Sequence, residues 1–232
     1  MHPTLTQADI IVDEAEFMLF YKPAGMDFHC EDGNKGFVAL AKELTQRDAL
    51  YSIHRLDKMT SGLILLAKSS QSANRFAVMF EKREIEKYYL ALSTRKPKKK
   101  QGWIKADMAP SRRGSYKLLQ TKNNPAITQF LSTSVRANER LFLLKPHTGK
   151  THQIRVALKS IGAPIAGDIR YANSEEAKKE QRGYLHAYGV RFVLDGKEYC
   201  YTDMPREGER FVSEALRACV RERYNKPWEL FR

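Results

Sequence analysis

The chain has 232 residues, 42% of them hydrophobic and 10% aromatic, which is enough apolar material for one compact core and too much for wholesale disorder. Forty Lys and Arg against 27 Asp and Glu leave a net charge of +13, and a chain this basic is expected to bind a polyanion, most commonly nucleic acid. No run approaches the roughly 18 apolar residues of a membrane span, residues 1–10 carry no secretory pattern, and three scattered cysteines (Cys30, Cys200, Cys219) form no CxxC pair, so a reducing cytoplasm is expected.

In chain order, residues 10–21 predict two short strands around the acidic turn Asp13-Glu14-Ala15-Glu16, and residues 37–44 a short helix. Residues 61–67 are a continuous apolar run and predict a buried strand. Residues 72–82 carry Phe76, Ala77, Met79 and Phe80 at helical spacing, and residues 85–92 follow as a strand. The basic run Arg95-Lys96-Pro97-Lys98-Lys99-Lys100 is broken by Pro97 and Gly102, so it is expected as a solvated loop able to meet phosphates. Residues 127–134 and 139–145 predict a hairpin turning at Arg136-Ala137-Asn138. Residues 151–161 predict a helix with Ile154, Leu158 and Ile161 on one face, Thr151 as N-cap and Gly162 as a left-handed C-cap. Residues 190–194 and 198–202 pair across Asp195-Gly196, and residues 209–224 form a final helix. The expected fold class is α+β, with a mixed, largely antiparallel central sheet and flanking helices, in a single domain over 1–232.

Two segments carry chemistry. His54-Arg55-Leu56-Asp57-Lys58-Met59-Thr60-Ser61-Gly62 packs polar groups against the start of a buried strand, where a loop on a rigid scaffold commonly holds catalytic groups. Thr148-Gly149-Lys150-Thr151-His152-Gln153-Ile154-Arg155 opens a helix, and its backbone N–H groups with Lys150 and Arg155 are expected to hold an anion. It is no triphosphate loop, because the upstream glycine of GxxxxGKT is replaced by Leu144. A hydrolase built on Ser61, His54 and Asp57 lacks the GxSxG elbow. A metal site is equally disfavoured, since the His residues at 2, 29, 54, 147, 152 and 186 show no HExxH spacing.

Taken together these segments resemble the RluA-type RNA pseudouridine synthases. His54-Arg55-Leu56-Asp57 with Thr60-Ser61-Gly62 matches the family's catalytic loop. Gly149-Lys150-Thr151-His152-Gln153-Ile154-Arg155 matches the second signature, with Lys150 where Arg is commoner. Tyr21-Lys22-Pro23-Ala24-Gly25, Lys87-Tyr88-Tyr89-Leu90-Ala91, Gly167-Asp168-Ile169-Arg170-Tyr171 and Leu185-His186-Ala187 complete the family order, from about residue 10 to residue 205. Tyr21 replaces the usual Asn, Ala157 stands where many members have His, and the stretch 27–36 reads Phe28-His29-Cys30-Glu31 in place of a His-Pro pair. The resemblance implies a small member without the N-terminal RNA-binding domain, acting on structured RNA, either tRNA or 23S rRNA; with no coiled-coil or strongly apolar helix face in the sequence, a monomer is expected.

The implied reaction is isomerisation of uridine to pseudouridine, with no metal, nucleotide or other cofactor. The resemblance assigns the catalytic carboxylate to Asp57, its guanidinium partner to Arg155 and the aromatic platform for the uracil to Tyr89. It makes Leu185 the apolar floor of the pocket, and Arg55 the side chain that fills the space of an extruded base. His54 is expected among the substrate-binding residues, and Lys22, Arg112 and Arg113 are expected to meet phosphates. The competing expectation is a non-catalytic RNA-binding protein on the same fold.

Overall fold

The computed structural model describes residues 3–30 and 33–231, so Met1, His2 and Glu31 of the Phe28–Glu31 run lie outside the described residues. The chain opens with β1 (Ile10–Asp13), β2 (Phe17–Lys22), α1 (Phe37–Thr45), β3 (Tyr51–Ser52) and β4 (Ser61–Ala67). Next come α2 (Ser70–Glu81), β5 (Glu86–Ser93), β6 (Gln101–Ala106), β7 (Met108–Pro110) and β8 (Tyr116–Leu118). The long hairpin β9 (Ala126–Arg136) and β10 (Glu139–Pro146) precedes α3 (Gln153–Ser160) and α4 (Ser174–Ala177). A second hairpin, β11 (Leu185–Leu194) and β12 (Lys197–Thr202), leads to α5 (Glu209–Val212) and α6 (Glu214–Arg223).

Ten strands form one sheet in the order β1-β2-β4-β11-β5-β10-β9-β6, with β12 on β11 and β3 on β4, while β7 and β8 pair separately. The sheet is antiparallel except between β4 and β11, where His186 stands opposite Ser61 and Ala187 opposite Gly62. The α+β architecture with a mixed, largely antiparallel sheet is therefore the one found. Strand β4 is buried at all seven positions because both faces of the sheet are covered. Ile64 and Leu66 join Met18, Phe20, Phe37, Ile154, Leu158 and Leu216 on one face. Leu63, Leu65 and Ala67 join Phe17, Phe76 and Phe192 on the other. Each fully buried Leu or Ile contributes roughly 1.5–3 kcal/mol, so β4 is a firm base for the loop that precedes it.

Three local expectations need correction. The predicted N-cap Thr151 gives way to His152, which adopts left-handed φ of 57° before α3 begins. The reason lies in Gln153, whose Oε1 accepts from the Lys150 N–H and from the Thr148 hydroxyl, so a side chain inside the helix satisfies the turn that a capping Thr would serve. The single helix over 209–224 is split at Ser213, whose hydroxyl caps α6 by accepting from the Leu216 N–H. Strand β6, at the sheet edge, and the β7–β8 pair were not expected at all. The Asp195-Gly196 turn is as expected, with both residues at positive φ (51° and 76°). Among the described residues no helix is long and apolar enough to cross a membrane.

Candidate active site

The loop 54–60 leaves its strand through a tight turn, in which the Thr60 N–H donates to the Asp57 carbonyl at 2.9 Å. Gly62 makes the approach of β4 to β11 possible. Its φ is +110°, and a Cβ there would stand 2.3 Å from the Ala187 carbonyl oxygen. Beneath the loop lies Lys22, fully buried. Its Nζ donates to the carbonyls of Pro23 (2.9 Å), Met26 (2.8 Å) and Lys58 (3.4 Å), while the Gly25 N–H donates to Lys58 as well. Burial, then the nearby Arg182 charge, pulls the Lys22 pKa down to about 7. The expectation that Lys22 meets RNA phosphates is thus overturned: its amine is held inside the protein, tying the Tyr21–Gly25 segment to the 54–60 loop.

Asp57 and Arg155 lie 98 residues apart in sequence and meet directly. Arg155 Nη1 donates to Asp57 Oδ2 at 2.9 Å, and its Nε and Nη2 donate to the two oxygens of Asp168 at 2.7 and 2.9 Å. The Asp168 side chain is fully buried and also accepts from the Arg170 and Tyr171 N–H groups. A guanidinium held in this bidentate way has one orientation, and Asp168 sets it. Burial works against the Arg155 charge, but Asp168 and then Asp57 outweigh it and raise its pKa. Asp57 keeps Oδ1 free of hydrogen bonds among the described residues, and its side chain is 20% exposed. At the start of α3, Arg155 serves the two carboxylates and Lys150 Nζ donates to the Asn124 carbonyl at 2.6 Å.

His152, opposite, presents Nε2 4.0 Å from Asp57 Oδ2. The Tyr116 N–H donates to the Tyr171 hydroxyl (2.8 Å), which lies 2.9 Å from His152 Nδ1. Donation by that hydroxyl satisfies every group and leaves the proton of a neutral imidazole on Nε2, facing Asp57. Burial first, then the Arg155 charge, holds the His152 pKa below its ordinary value.

Two cavities meet at this point. One, of about 660 Å³, is walled by Tyr89, Leu185, His54 and Lys145; the other, of about 880 Å³, by Gly25, Lys58, Ile169 and Arg170. Arg55, Leu56, Asp57, His152 and Arg155 line both. Both volumes fall in the range of about 300–1,000 Å³ usual for ligand sites. Tyr89 and Leu185 are 9% and 3% exposed and project from the neighbouring strands β5 and β11. Burial, and next the Asp57 charge, raises the Tyr89 pKa, so its phenol is neutral. Arg55 is exposed at the rim and makes no hydrogen bond or ion pair among the described residues. His54 faces the first cavity, but its Nε2 accepts from the Leu65 N–H at 3.1 Å, which fixes a neutral ring; burial, then Lys87, takes its pKa to about 3. Arg112 and Arg113 are exposed, whereas Arg95 of the basic loop pairs with Glu176.

The hydrolase trio is not assembled. Ser61 is fully buried and bonds His186 Nδ1 at 2.9 Å, while His186 Nε2 donates to the Asp203 carbonyl at 2.8 Å. That network, joined by Arg182 Nη2 on Ser61 Oγ at 2.8 Å, supports the start of β4. Sequence reasoning overlooked the parts Asp168, His152 and Tyr171 play around Asp57. The signal was present in Gly167-Asp168-Ile169-Arg170-Tyr171, noted only as a motif. Gly167 has φ +76°, and a Cβ there would meet the Arg182 carbonyl at 1.9 Å, so only glycine brings Asp168 in under Arg155.

Residues 16–160 match the family model described as RNA pseudouridylate synthase. The chain belongs to the RNA pseudouridylate synthase family. It is 40% identical over 222 residues to a Haemophilus influenzae protein named as an uncharacterised RNA pseudouridine synthase, covering 96% of this chain and 98% of that one. It is 32% identical to a Rickettsia bellii ribosomal large subunit pseudouridine synthase C, covering 84% of this chain and 66% of that one. The structure of human RNA pseudouridylate synthase domain-containing 4 superposes with a TM-score of 0.71 at 25% identity, over 90% of this chain and 93% of that one. The chain is thus an RNA pseudouridine synthase of the RluA type, and its reaction is the isomerisation of uridine in RNA.

Proposed function

We propose that the chain isomerises uridines in structured RNA, with the target base extruded into the cavity between Tyr89 and Leu185 and engaged there by Asp57. The observation that carries this reading is the Asp57–Arg155–Asp168 chain, which leaves Asp57 Oδ1 open where the two cavities join. The adjoining guanidinium fixes Asp57 Oδ2 and so aims the free oxygen into the cleft. The isomerisation breaks the bond between ribose carbon 1′ and the uracil nitrogen, turns the base and rejoins it through carbon 5. Atoms balance within the nucleotide, since the proton leaving carbon 5 is exchanged for one on the freed nitrogen.

Tyr89 offers its ring for stacking and a neutral hydroxyl within the same cavity. Extrusion costs a few kcal/mol of unstacking. Arg55, exposed and uncommitted, supports the role of filling the vacated space, because guanidinium planes stack well on bases. The exposed Lys98, Lys99, Lys100, Arg112 and Arg113 supply phosphate affinity that falls with salt. Relatives from Rickettsia bellii and Vibrio vulnificus carry the name ribosomal large subunit pseudouridine synthase C, so large-subunit rRNA is the first substrate to examine and tRNA the second.

Pseudouridines are mapped in total RNA from cells with and without the gene, and from deleted cells carrying Asp57→Asn. At least one site is expected to vanish on deletion, to return with the wild-type gene and to stay absent with the variant. An unchanged map in all strains contradicts the proposal and favours a protein that only binds RNA.

A further inference from the structure

Beside the first cavity, on the edge strand β6, an unexplained aromatic is exposed. Trp103 is 48% exposed, although it is one of only two tryptophans in the chain. Along β6 exposed and half-buried positions alternate, so Trp103 and Lys105 share the open face. The His147 ring stacks on Trp103 with centroids 4.8 Å apart and planes 30° from parallel. His147 is itself a wall of the first cavity. It is anchored by its N–H on the Ile127 carbonyl (2.9 Å) and by a ring contact to Gln129 Oε1 (3.3 Å), and Gln129 is the β9 residue opposite Trp103. An aromatic step therefore leads from the cleft to the sheet edge.

The charges around it favour a polyanion. The charges of Lys145, Arg83 and Lys105 act on His147 against that of Glu86, and Glu86 is already paired with Lys145 and Arg191. The Lys105 ammonium lies 4.4 Å from the Trp103 ring centroid and makes no ion pair among the described residues. Packing alone would bury a Trp at a sheet edge, and a lone exposed aromatic needs no explanation. Trp103 is backed by a stacked ring that reaches the cleft, and the Lys105 ammonium lies over its face.

We infer that Trp103 and His147 form a second stacking subsite, which holds a nucleobase of the RNA strand flanking the target uridine. The inference rests on the reading of the cleft as the RNA site. An exposed cation–π contact is weaker than base–aromatic stacking. The arriving base therefore displaces Lys105, whose ammonium then meets the strand's phosphate. Because every base has a π face, the subsite adds affinity with little sequence preference.

Trp228→Phe leaves Trp103 as the sole tryptophan, and Trp228 packs against Tyr88, whose ring also stacks on Phe231, and lines neither cavity. In that variant, a short single-stranded oligoribonucleotide is expected to quench the emission, and an abasic ribose-phosphate strand of equal length is not. With an unmodified large-subunit rRNA transcript, Trp103→Ala is expected to raise KM about five-fold or more at unchanged kcat, and Trp103→Phe to recover most of the loss. Oligonucleotide binding without quenching, or a wild-type KM in Trp103→Ala, overturns the subsite. If the wild-type protein isomerises no RNA, the proposed function falls instead, and the quenching result alone decides the stacking.

Discussion

Arg155 sits between two carboxylates that play different parts. Asp168 is buried and takes two of its N–H groups, while Asp57 takes one and turns its free oxygen to the cleft. Asp168→Asn keeps the shape and removes the charge that aims the guanidinium. Expected are a kcat lower by roughly 100-fold with KM for RNA little changed, and a loss of about 3 kcal/mol in unfolding free energy from a broken buried pair. Equal losses in kcat and KM would assign Asp168 to RNA binding. Two other buried side chains set an acid limit. His54 and His186 are neutral in the fold, each with its pKa pushed to about 3, chiefly by burial. Unfolded, each titrates near about 6.5. The unfolded chain therefore binds more protons between these values, and their stability contribution is complete above pH 6.5 and is lost as pH falls through 3. Denaturant titrations should show stability falling below pH 6.5 by up to about 1.4 kcal/mol per pH unit for each ring, with His186→Gln removing one share. A flat profile would mean that these rings are protonated in place.

At the scale of elements, the site depends on two glycines at positive φ where backbones touch, Gly62 and Gly167. Gly62→Ala would drive a Cβ to 2.3 Å from the Ala187 carbonyl, whereas at Gly196, φ +76°, nothing lies within 4 Å. Chemical denaturation should therefore show Gly196→Ala costing about 1–2 kcal/mol from φ strain alone, and Gly62→Ala clearly more. Equal costs would mean that the β4–β11 approach is not tight. The strands were legible because burial on both faces writes itself as an apolar run, as in 61–67, and because Asp195-Gly196 permits one hairpin geometry. The start of α3 was not legible, since its capping is done by Gln153 from inside the helix. The break at Ser213 was hidden because Phe211, Leu216 and Val220 keep an apolar pattern across it. Strand β6 alternates too weakly in hydropathy to announce itself, and its role as an edge exists only once β9 is in place.

Across the whole molecule, the sheet gathers what the sequence scatters. Asp57, Tyr89, Arg155 and Leu185 sit before β4, on β5, on α3 and on β11, and the order β4-β11-β5 sets three of those elements side by side. Their types and motifs could be recognised along the chain, and their convergence around one cleft is a product of topology. The misreading of Lys22 has the same origin. A net charge of +13 invites every lysine to be read as surface, yet this one is enclosed by three carbonyls. The proposed reaction places the Asp57 carboxylate on the target base in that cleft. Release of tritium from carbon 5 of labelled uracil in an rRNA transcript, followed beside RNA affinity, measures it most directly. Release is expected from the wild-type protein and none from Asp57→Asn at undiminished RNA affinity; release by the variant at the wild-type rate would rule out the Asp57 role.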